Sequence, residues 1–302
     1  MINIENFLAE KNIDYEYDVS AEKLSTYKGG GIVKLVISPT DHNINESLAI
    51  VRDFPHYFLG NGSNTLIDDY GFDGVVVCTK NLNTIVRDNN EFTVGAGTLI
   101  PYLNAYLERL NLSGLERLSG IPASLGGACV MNAGAYGIEI CEFIKEITCY
   151  DLATQRELTI GAKDIAFSYR SSGDSFKNTF IKSVKLTGFT QGYDASLSRT
   201  LREKRRNSQP NKPSLGSVFK SATLPAGYLI DKCGLKGTRA KCAQISPTHA
   251  NFIVNNGGGS ASDYLTLLAI ARDTVKRRFG ITLTPEIKIL TNRKEIWEFT
   301  TQ

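Results

Sequence analysis

The 302-residue chain carries 34 lysines and arginines against 31 aspartates and glutamates, a net charge of +3 that excludes the strongly basic face of a dedicated nucleic-acid binder. With 42% hydrophobic and 22% charged residues it has the make-up of a globular protein large enough for two or three domains. No apolar run nears the roughly 20 residues needed to cross a bilayer, and the polar, acidic start MINIENFLAEKNIDYEYD has no leader character, so a cytoplasmic protein without membrane contact is expected.

The six cysteines, at 78, 129, 141, 149, 233 and 242, form no C-x-x-C pair and no zinc-like spacing, which points to reduced, mostly buried thiols. His42, His56 and His249 are scattered and no H-E-x-x-H occurs, so no metal site is expected.

The first 20 residues read as a short amphipathic helix and an extended piece. After Lys28-Gly29-Gly30-Gly31 the run IVKLVIS alternates as a strand does, and Pro39 ends it. Ile44, Leu48 and Val51 recur at helical spacing within 43–54, with Asp41 or Asn43 as the cap. His56–Leu59 is a short strand opening into the small-residue loop GNGSNT at 60–65, and VVVC at 75–78 is another strand. A strand at 92–94 ends in Gly95-Ala96-Gly97, ahead of a helix over 100–110. Strands follow at Ile144–Asp151, 156–160 and 180–189, the last burying Ile181, Val184 and Leu186. Gln191-Gly192 marks a seam. Beyond it come a polar helix over 196–207, the proline-broken loop QPNKPSLG, a segment at Ala226–Lys232, a strand at 252–254, a long helix at Ala261–Phe279 and a strand over 286–290. Strands and helices mixed in this way define an α+β fold.

Between the helix at 100–110 and the strand at 144 lies GLERLSGIPASLGGACVMNAGAYG, residues 114–137, with six glycines. Such a stretch serves equally as a buried Gly/Ala crossing or as a nest of backbone N–H groups for phosphate oxygens. Gly126-Gly127, shortly after Ile121-Pro122, reads as a tight turn leading into the apolar segment 128–131. No G-x-x-x-x-G-K-[ST] is present, and Gly95-Ala96-Gly97 lacks the third glycine of a dinucleotide fingerprint. The loops at 60–65 and 120–127, separated by a strand and a helix, suit a diphosphate held from both sides, with Ser63, Asn64 and Ser124 adding side-chain bonds.

GNGSNTLIDDYGFDGVVV, GLERLSGIPASLGGACVMNAGAYG, FSYRSS, KRRNSQP, GSVFK, AQISPTHANFIVN and LTPEI occur in the order found in the UDP-N-acetylenolpyruvoylglucosamine reductase family, which the chain resembles over about 25–290. That family falls in the vanillyl-alcohol-oxidase-type FAD-binding superfamily. The resemblance implies a two-part FAD-binding region of the PCMH type, 1–80 and 81–190, then an α+β substrate-binding domain at 195–290 and a tail at 291–302. It implies FAD as cofactor, NADPH as hydride donor and a UDP-sugar as substrate, in peptidoglycan precursor synthesis. It also places the chain in the shorter subclass without the extra tyrosine-bearing loop. The oligomeric state is left open, with a monomer as the working expectation.

The reaction so implied reduces an enolpyruvyl ether to a lactyl ether, which needs a donor at the carboxylate, a placed acid for the carbanion and exclusion of water. Ser217 in GSVFK matches the family's proton donor, Glu286 in TPEI its catalytic glutamate and Arg170 in SYRSS its active-site arginine, whose planar fork suits a carboxylate. Lys220, Arg205 and Gln209 are the expected substrate-binding residues. The cofactor is expected on Gly60, Asn61, Gly62, Ser63, Asn64 and Thr65 from the first loop, and on Gly120, Ile121, Pro122, Ser124, Gly126 and Gly127 from the second. Asn132, Gly134, Ala135 and Tyr136 are expected nearer the flavin ring, and His249 and Asn251 to serve structural hydrogen bonding. Departures are Ser221-Ala222 where the family commonly has Asn-Pro, Val33 in place of a small residue, and Lys288 in place of an arginine.

Three alternatives stand beside this. A flavin oxidase of the same superfamily would act on an alcohol or sugar. Ser217-Val-Phe-Lys220 is also an S-x-x-K of the acyl-serine kind, although S-D-N and K-T-G are missing. A binding module would hold a nucleotide sugar without chemistry.

Overall fold

The computed structural model describes residues 4–221 and 223–293, so the part of the expected tail from 294 on lies outside the described residues. The chain forms two compact units and passes between them more than once. The first comprises Met1–Tyr17, Leu35–Asn61 and Gly74–Glu203; the second comprises Asp18–Lys34, Gly62–Asp73 and Lys204–Gln302.

Two larger sheets lie mainly in the first unit. One runs in the order Asp14–Ser20, Ile32–Ser38, Phe72–Cys78, His56–Leu59, and its last two strands are parallel. The other is antiparallel, in the order Arg156–Gly161, Ile144–Asp151, Thr179–Leu186, Glu91–Gly95, Ile85–Asp88. A bulge in Thr179–Leu186 shifts its alternation, so Phe180 enters a core with Leu35, Leu48 and Val77, while Ile181, Val184 and Leu186 join a second core with Leu103, Leu125 and Ile147. The helix Ile44–Val51 begins after Asn43, but the Asn43 amide does not cap it. Its oxygen accepts from the Thr40 backbone N–H at 2.8 Å, and its NH2 donates to the Asn12 carbonyl at 2.8 Å.

The stretch 114–137 takes a shape that the sequence did not suggest. Gly126 and Gly127 are no turn; they lie inside the helix Leu125–Val130, whose N-cap is Ser124. A serine hydroxyl offered to the Gly127 N–H satisfies one of the orphan donors of a helix start, which lets so glycine-rich a segment turn helical. At the front of the stretch, Gly114 is small because two rings pack on it: an added Cβ would sit 2.8 Å from Phe143 and 2.9 Å from Phe189. Buried Glu116 then accepts from the backbone N–H groups of Gly114 at 2.7 Å and Asp194 at 3.1 Å.

In the second unit the long helix Ala261–Phe279 has the bounds that its signals foretell, a Ser260/Asp263 capping box at one end and Gly280 with φ 71° at the other. It packs Tyr264, Leu267, Leu268 and Val275 onto Phe219, Leu229, Ile245 and Ile287. An antiparallel sheet of Arg239–Ala240, Ala243–Ile245 and Ile253–Asn255 lies in this unit, and Lys288–Leu290 pairs in parallel with Thr65–Ile67. Among the described residues no helix is long and apolar enough to cross a membrane.

The end of the described chain is fastened through one carboxylate. Asp68, 2% exposed, accepts from Arg293 Nε and Nη2 at 2.7 Å each and from the Thr291 hydroxyl. Burial alone would raise its pKa, but the bonds from Arg293 and Thr291 and the guanidinium charge outweigh that and hold it below the ordinary carboxylate value. The contribution is therefore present at neutral pH and lost as pH falls through the depressed folded-state pKa. Asp68→Asn is expected to lower stability by on the order of 3 kcal/mol at pH 7, and by progressively less in acid, in urea titrations run from pH 7 to pH 3. A variant as stable as the parent at pH 7 would contradict this.

Candidate active site

A cavity of about 490 Å³ lies within the first unit. Its wall comes from Gly60-Asn61, Thr79-Lys80, Asn83, Gly97 to Leu99, Tyr102 and Ser124. The parallel strands His56–Leu59 and Phe72–Cys78 both end on it, at the carboxyl edge where open sheets receive ligands. The segment leaving Glu91–Gly95 is tied to the second loop by backbone bonds. Gly126 N–H donates to the Ala96 carbonyl at 2.8 Å, Leu125 N–H to Thr98 at 2.8 Å and Ile100 N–H to Ala123 at 2.9 Å.

Two glycines set how closely these segments approach. A Cβ on Gly97 would fall 1.8 Å from the Thr79 carbonyl oxygen, and one on Gly60 would fall 2.3 Å from the Ser124 hydroxyl. The loops at 60–61 and 122–124 thus meet, and the Asn61 amide donates to the Pro122 carbonyl at 2.8 Å. Of the residues nominated from the sequence, Gly60, Asn61 and Ser124 line the cavity. Thr79, Lys80, Thr98 and Tyr102 were missed; Gly95-Ala96-Gly97-Thr98 at a strand end was the available signal. The side-chain hydroxyls of Thr79 and Thr98 are buried and have no partner within the described chain. Orphaned hydroxyls cost about 1–3 kcal/mol each unless something else bonds them, which suits a polar ligand in the cavity.

The remaining nominated positions divide between the units. Gly120, Ile121 and Pro122 precede the capped helix, with Gly120 and Ile121 half-buried and Pro122 exposed. Gly62 (φ 62°), Ser63, Asn64 and Thr65 belong to the second unit, where a Cβ on Gly62 would strike the Leu24 carbonyl at 1.9 Å. Thr65 is buried, and its carbonyl accepts from the Ser25 hydroxyl at 2.7 Å. Asn132, Gly134, Ala135 and Tyr136 cluster with Arg170 in the first unit; Gly134-Ala135 pairs with Ile138-Glu139 in a small hairpin. Arg170 Nη2 donates to the Gly134 carbonyl at 2.6 Å, and its guanidinium carbon lies 5.0 Å from the centre of the Tyr169 ring.

In the second unit one buried side chain organises the segment carrying Ser217. Asn251 accepts from the Phe219 N–H at 3.0 Å and donates to the Phe219 carbonyl at 2.9 Å, while its own carbonyl accepts from Val218 at 2.9 Å. The same segment pairs with the approach to Glu286: Lys220 N–H donates to Thr284 at 2.9 Å and Glu286 N–H to Val218 at 2.8 Å. The Asn64 amide then donates to the Glu286 carbonyl at 3.0 Å. Ser217, Lys220 and Glu286, distant in sequence, are thereby held on two paired segments, each half-buried. His249 accepts from the Asn251 N–H at 3.2 Å, which makes its role structural as expected. Burial and the neighbouring Lys220 charge push the Lys288 ammonium below its usual pKa, and no described carboxylate pairs with either lysine. Arg205 lies in the last turn of the helix Ala195–Ser208 and Gln209 directly after it, both half-buried.

Residues 34–159 match the FAD binding domain, so the first unit contains the fold of a flavoprotein. Residues 209–290 match the C-terminal domain of UDP-N-acetylenolpyruvoylglucosamine reductase. Enzymes of that name from Clostridioides difficile and Chloroherpeton thalassium are 35% and 36% identical, each alignment covering 96% of this chain and 97% of the relative. The crystal structure of the Thermus caldophilus enzyme superposes with a TM-score of 0.79 at 31% identity, over 92% of this chain and 100% of that one. The chain belongs to the UDP-N-acetylenolpyruvoylglucosamine reductase family, a family of FAD-dependent oxidoreductases that take electrons from NADPH. The oxidase, acyl-serine and binding-module alternatives fall with that membership.

The cavity's chemistry suits FAD: buried hydroxyls without a partner among the described residues, backbone laid bare at Gly60 and Gly97, and a lysine on the wall match the needs of a long polar cofactor. Gly97→Ala would force Thr79 out of the wall. The purified variant is expected to carry far less flavin per chain than the parent, read from the visible absorbance of the released cofactor. Full flavin content would place the cofactor elsewhere.

Proposed function

We propose that this chain reduces UDP-N-acetylglucosamine enolpyruvate to UDP-N-acetylmuramate in the cytoplasm, serving peptidoglycan precursor synthesis. Residues 1–80 and 81–190 act as the two FAD-binding subdomains and 195–290 as the substrate-binding domain. Membership of the family and the two matched regions, 34–159 and 209–290, support that division.

When bound, FAD reduced by NADPH would supply the hydride for one carbon of the enolpyruvyl double bond. The charge left on the other carbon is delocalised into the carboxylate, and the residues of this chain deal with that charge and its proton. Ser217 delivers the proton from its hydroxyl. A serine is a weak acid, but the carbanion it meets is a strong base, so placement matters more than acidity. The Asn251 bonds to Phe219 and Val218 supply that placement and are the observation that carries the assignment. Glu286 and Arg170 hold the carboxylate, Glu286 through a shared proton and Arg170 through its planar fork. Lys220 and Arg205, with Gln209, take the charged and polar parts of the UDP-sugar; the mutual repulsion of Lys220 and Lys288, with no carboxylate paired to either among the described residues, favours an anionic ligand there.

The loops from Gly60 to Thr65 and Gly120 to Gly127 hold the cofactor, together with the cavity residues Thr79 and Thr98, and Asn132 to Tyr136 lie towards its ring. Support comes from the meeting of Gly60 with Ser124 and of Asn61 with Pro122.

Oxidation of NADPH by the purified protein is expected only when UDP-N-acetylglucosamine enolpyruvate is present. Turnover independent of that substrate would contradict the proposal. In Ser217→Ala, flavin reduction by NADPH should keep its parental rate while reoxidation by substrate slows by on the order of 100-fold or more, the usual loss on removing a placed acid. Equal slowing of both half-reactions would make Ser217 structural.

A further inference from the structure

Arg170 sits where an arginine is costly. It occupies the tip of a tight hairpin closed by Ser168 and Ser171, which exchange backbone bonds at 2.9 and 3.1 Å, and its φ is +54°. That left-handed conformation is unfavourable for an arginine and persists only where the surroundings over-determine it. Asn132, whose side chain is fully buried, has φ +41°. The two left-handed residues are bonded to one another: Arg170 Nη1 donates to the Asn132 carbonyl at 3.5 Å.

The Asn132 side chain spends its capacity inside the chain. Its NH2 donates to the Ser168 carbonyl at 3.0 Å, fixing one foot of the Arg170 hairpin, and to Glu139 Oε2 at 2.7 Å. Its oxygen accepts from the Cys141 N–H at 3.3 Å. Glu139 is itself held, because its N–H donates to Glu142 at 2.6 Å and it starts the short helix Ile140–Phe143. Strand register sets Glu139 opposite Gly134, the residue whose carbonyl takes Arg170 Nη2. A Cβ on Gly134 would come within 2.9 Å of the Glu139 side chain and 3.2 Å of Arg170 Nη1, so both side chains cross over that glycine.

We propose that Glu139 is a positioning residue for Arg170, acting through Asn132. Its carboxylate orients the Asn132 amide so that one NH2 hydrogen is directed at Ser168. That bond holds the hairpin in the strained turn that presents the guanidinium. Arg170 contributes the binding atoms; Glu139 contributes where they are. The proposal rests on Arg170 holding the substrate carboxylate.

The test uses the FAD-bound full chain and times the two half-reactions separately in Glu139→Ala, Glu139→Gln and Arg170→Ala. A misplacement of about 1 Å costs on the order of 100-fold in rate, so Glu139→Ala should slow flavin reoxidation by substrate at least about tenfold. Flavin content and reduction by NADPH should stay parental. Glu139→Gln keeps an oxygen for the Asn132 NH2 and should restore the rate to within about threefold of the parent, well inside that tenfold loss. A parental rate in Glu139→Ala, with Arg170→Ala slowed, would overturn the role of Glu139 alone. Equal slowing in the alanine and glutamine variants would overturn it by making charge rather than orientation the cause. Equal slowing of both half-reactions in Glu139→Ala would show a structural role instead. A parental rate in Arg170→Ala would overturn the role of Arg170 and this proposal with it.

Discussion

The Asn251 side chain is the constraint on which the chemistry of the second unit depends. A buried amide must bond all its polar atoms or lose about 1–3 kcal/mol for each one left bare, and Asn251 meets that demand on the backbone of Phe219. The consequence is geometric. A loop that would otherwise be free to vary is sewn to the approach of Glu286, and Ser217 is placed at its head. A weak acid becomes useful only where its position is fixed, so the role proposed for Ser217 rests on this structural bond.

The first unit solves the complementary problem by removing side chains. Gly97 against Thr79 and Gly60 against Ser124 allow backbone to touch backbone or cap, which opens a cavity edged with main-chain groups. Where a side chain is kept at a strained position, as at Arg170, a network of bonds through Asn132 and Glu139 offsets the strain. Both devices spend local stability on the placement of polar atoms, and the cores around Val184 and Tyr264 supply the stability that allows it.

Much of the fold was legible in the sequence because its signals are local. The helix Ala261–Phe279 has the bounds expected of it, and Ile181, Val184 and Leu186 in Thr179–Leu186 are buried as expected, although a bulge turns Phe180 into another core. The helix at Leu125–Val130 was hidden, because two glycines argue for a turn and only the Ser124 cap reverses that argument. Thr79 and Thr98 escaped notice since the neighbouring Gly95-Ala96-Gly97 was weighed against a dinucleotide fingerprint alone. The pairing of Asn251 with Phe219 spans 32 residues, and the segments Asp18–Lys34 and Gly62–Asp73 join a unit made mostly of later chain. Contacts of that range leave no periodicity. The roles proposed for Ser217, Glu286 and Arg170 come only from the resemblance of their motifs, since an isolated serine, glutamate or arginine says nothing of chemistry.

The most direct measurement reduces the enzyme with NADPH without oxygen and mixes it with UDP-N-acetylglucosamine enolpyruvate in heavy water. Flavin colour should return only on adding that substrate, with one equivalent of lactyl ether formed and solvent deuterium on the carbon bearing the carboxylate. Colour returning without the substrate, or deuterium absent from that carbon, would contradict a hydroxyl-borne proton delivered to a carboxylate-stabilised carbanion.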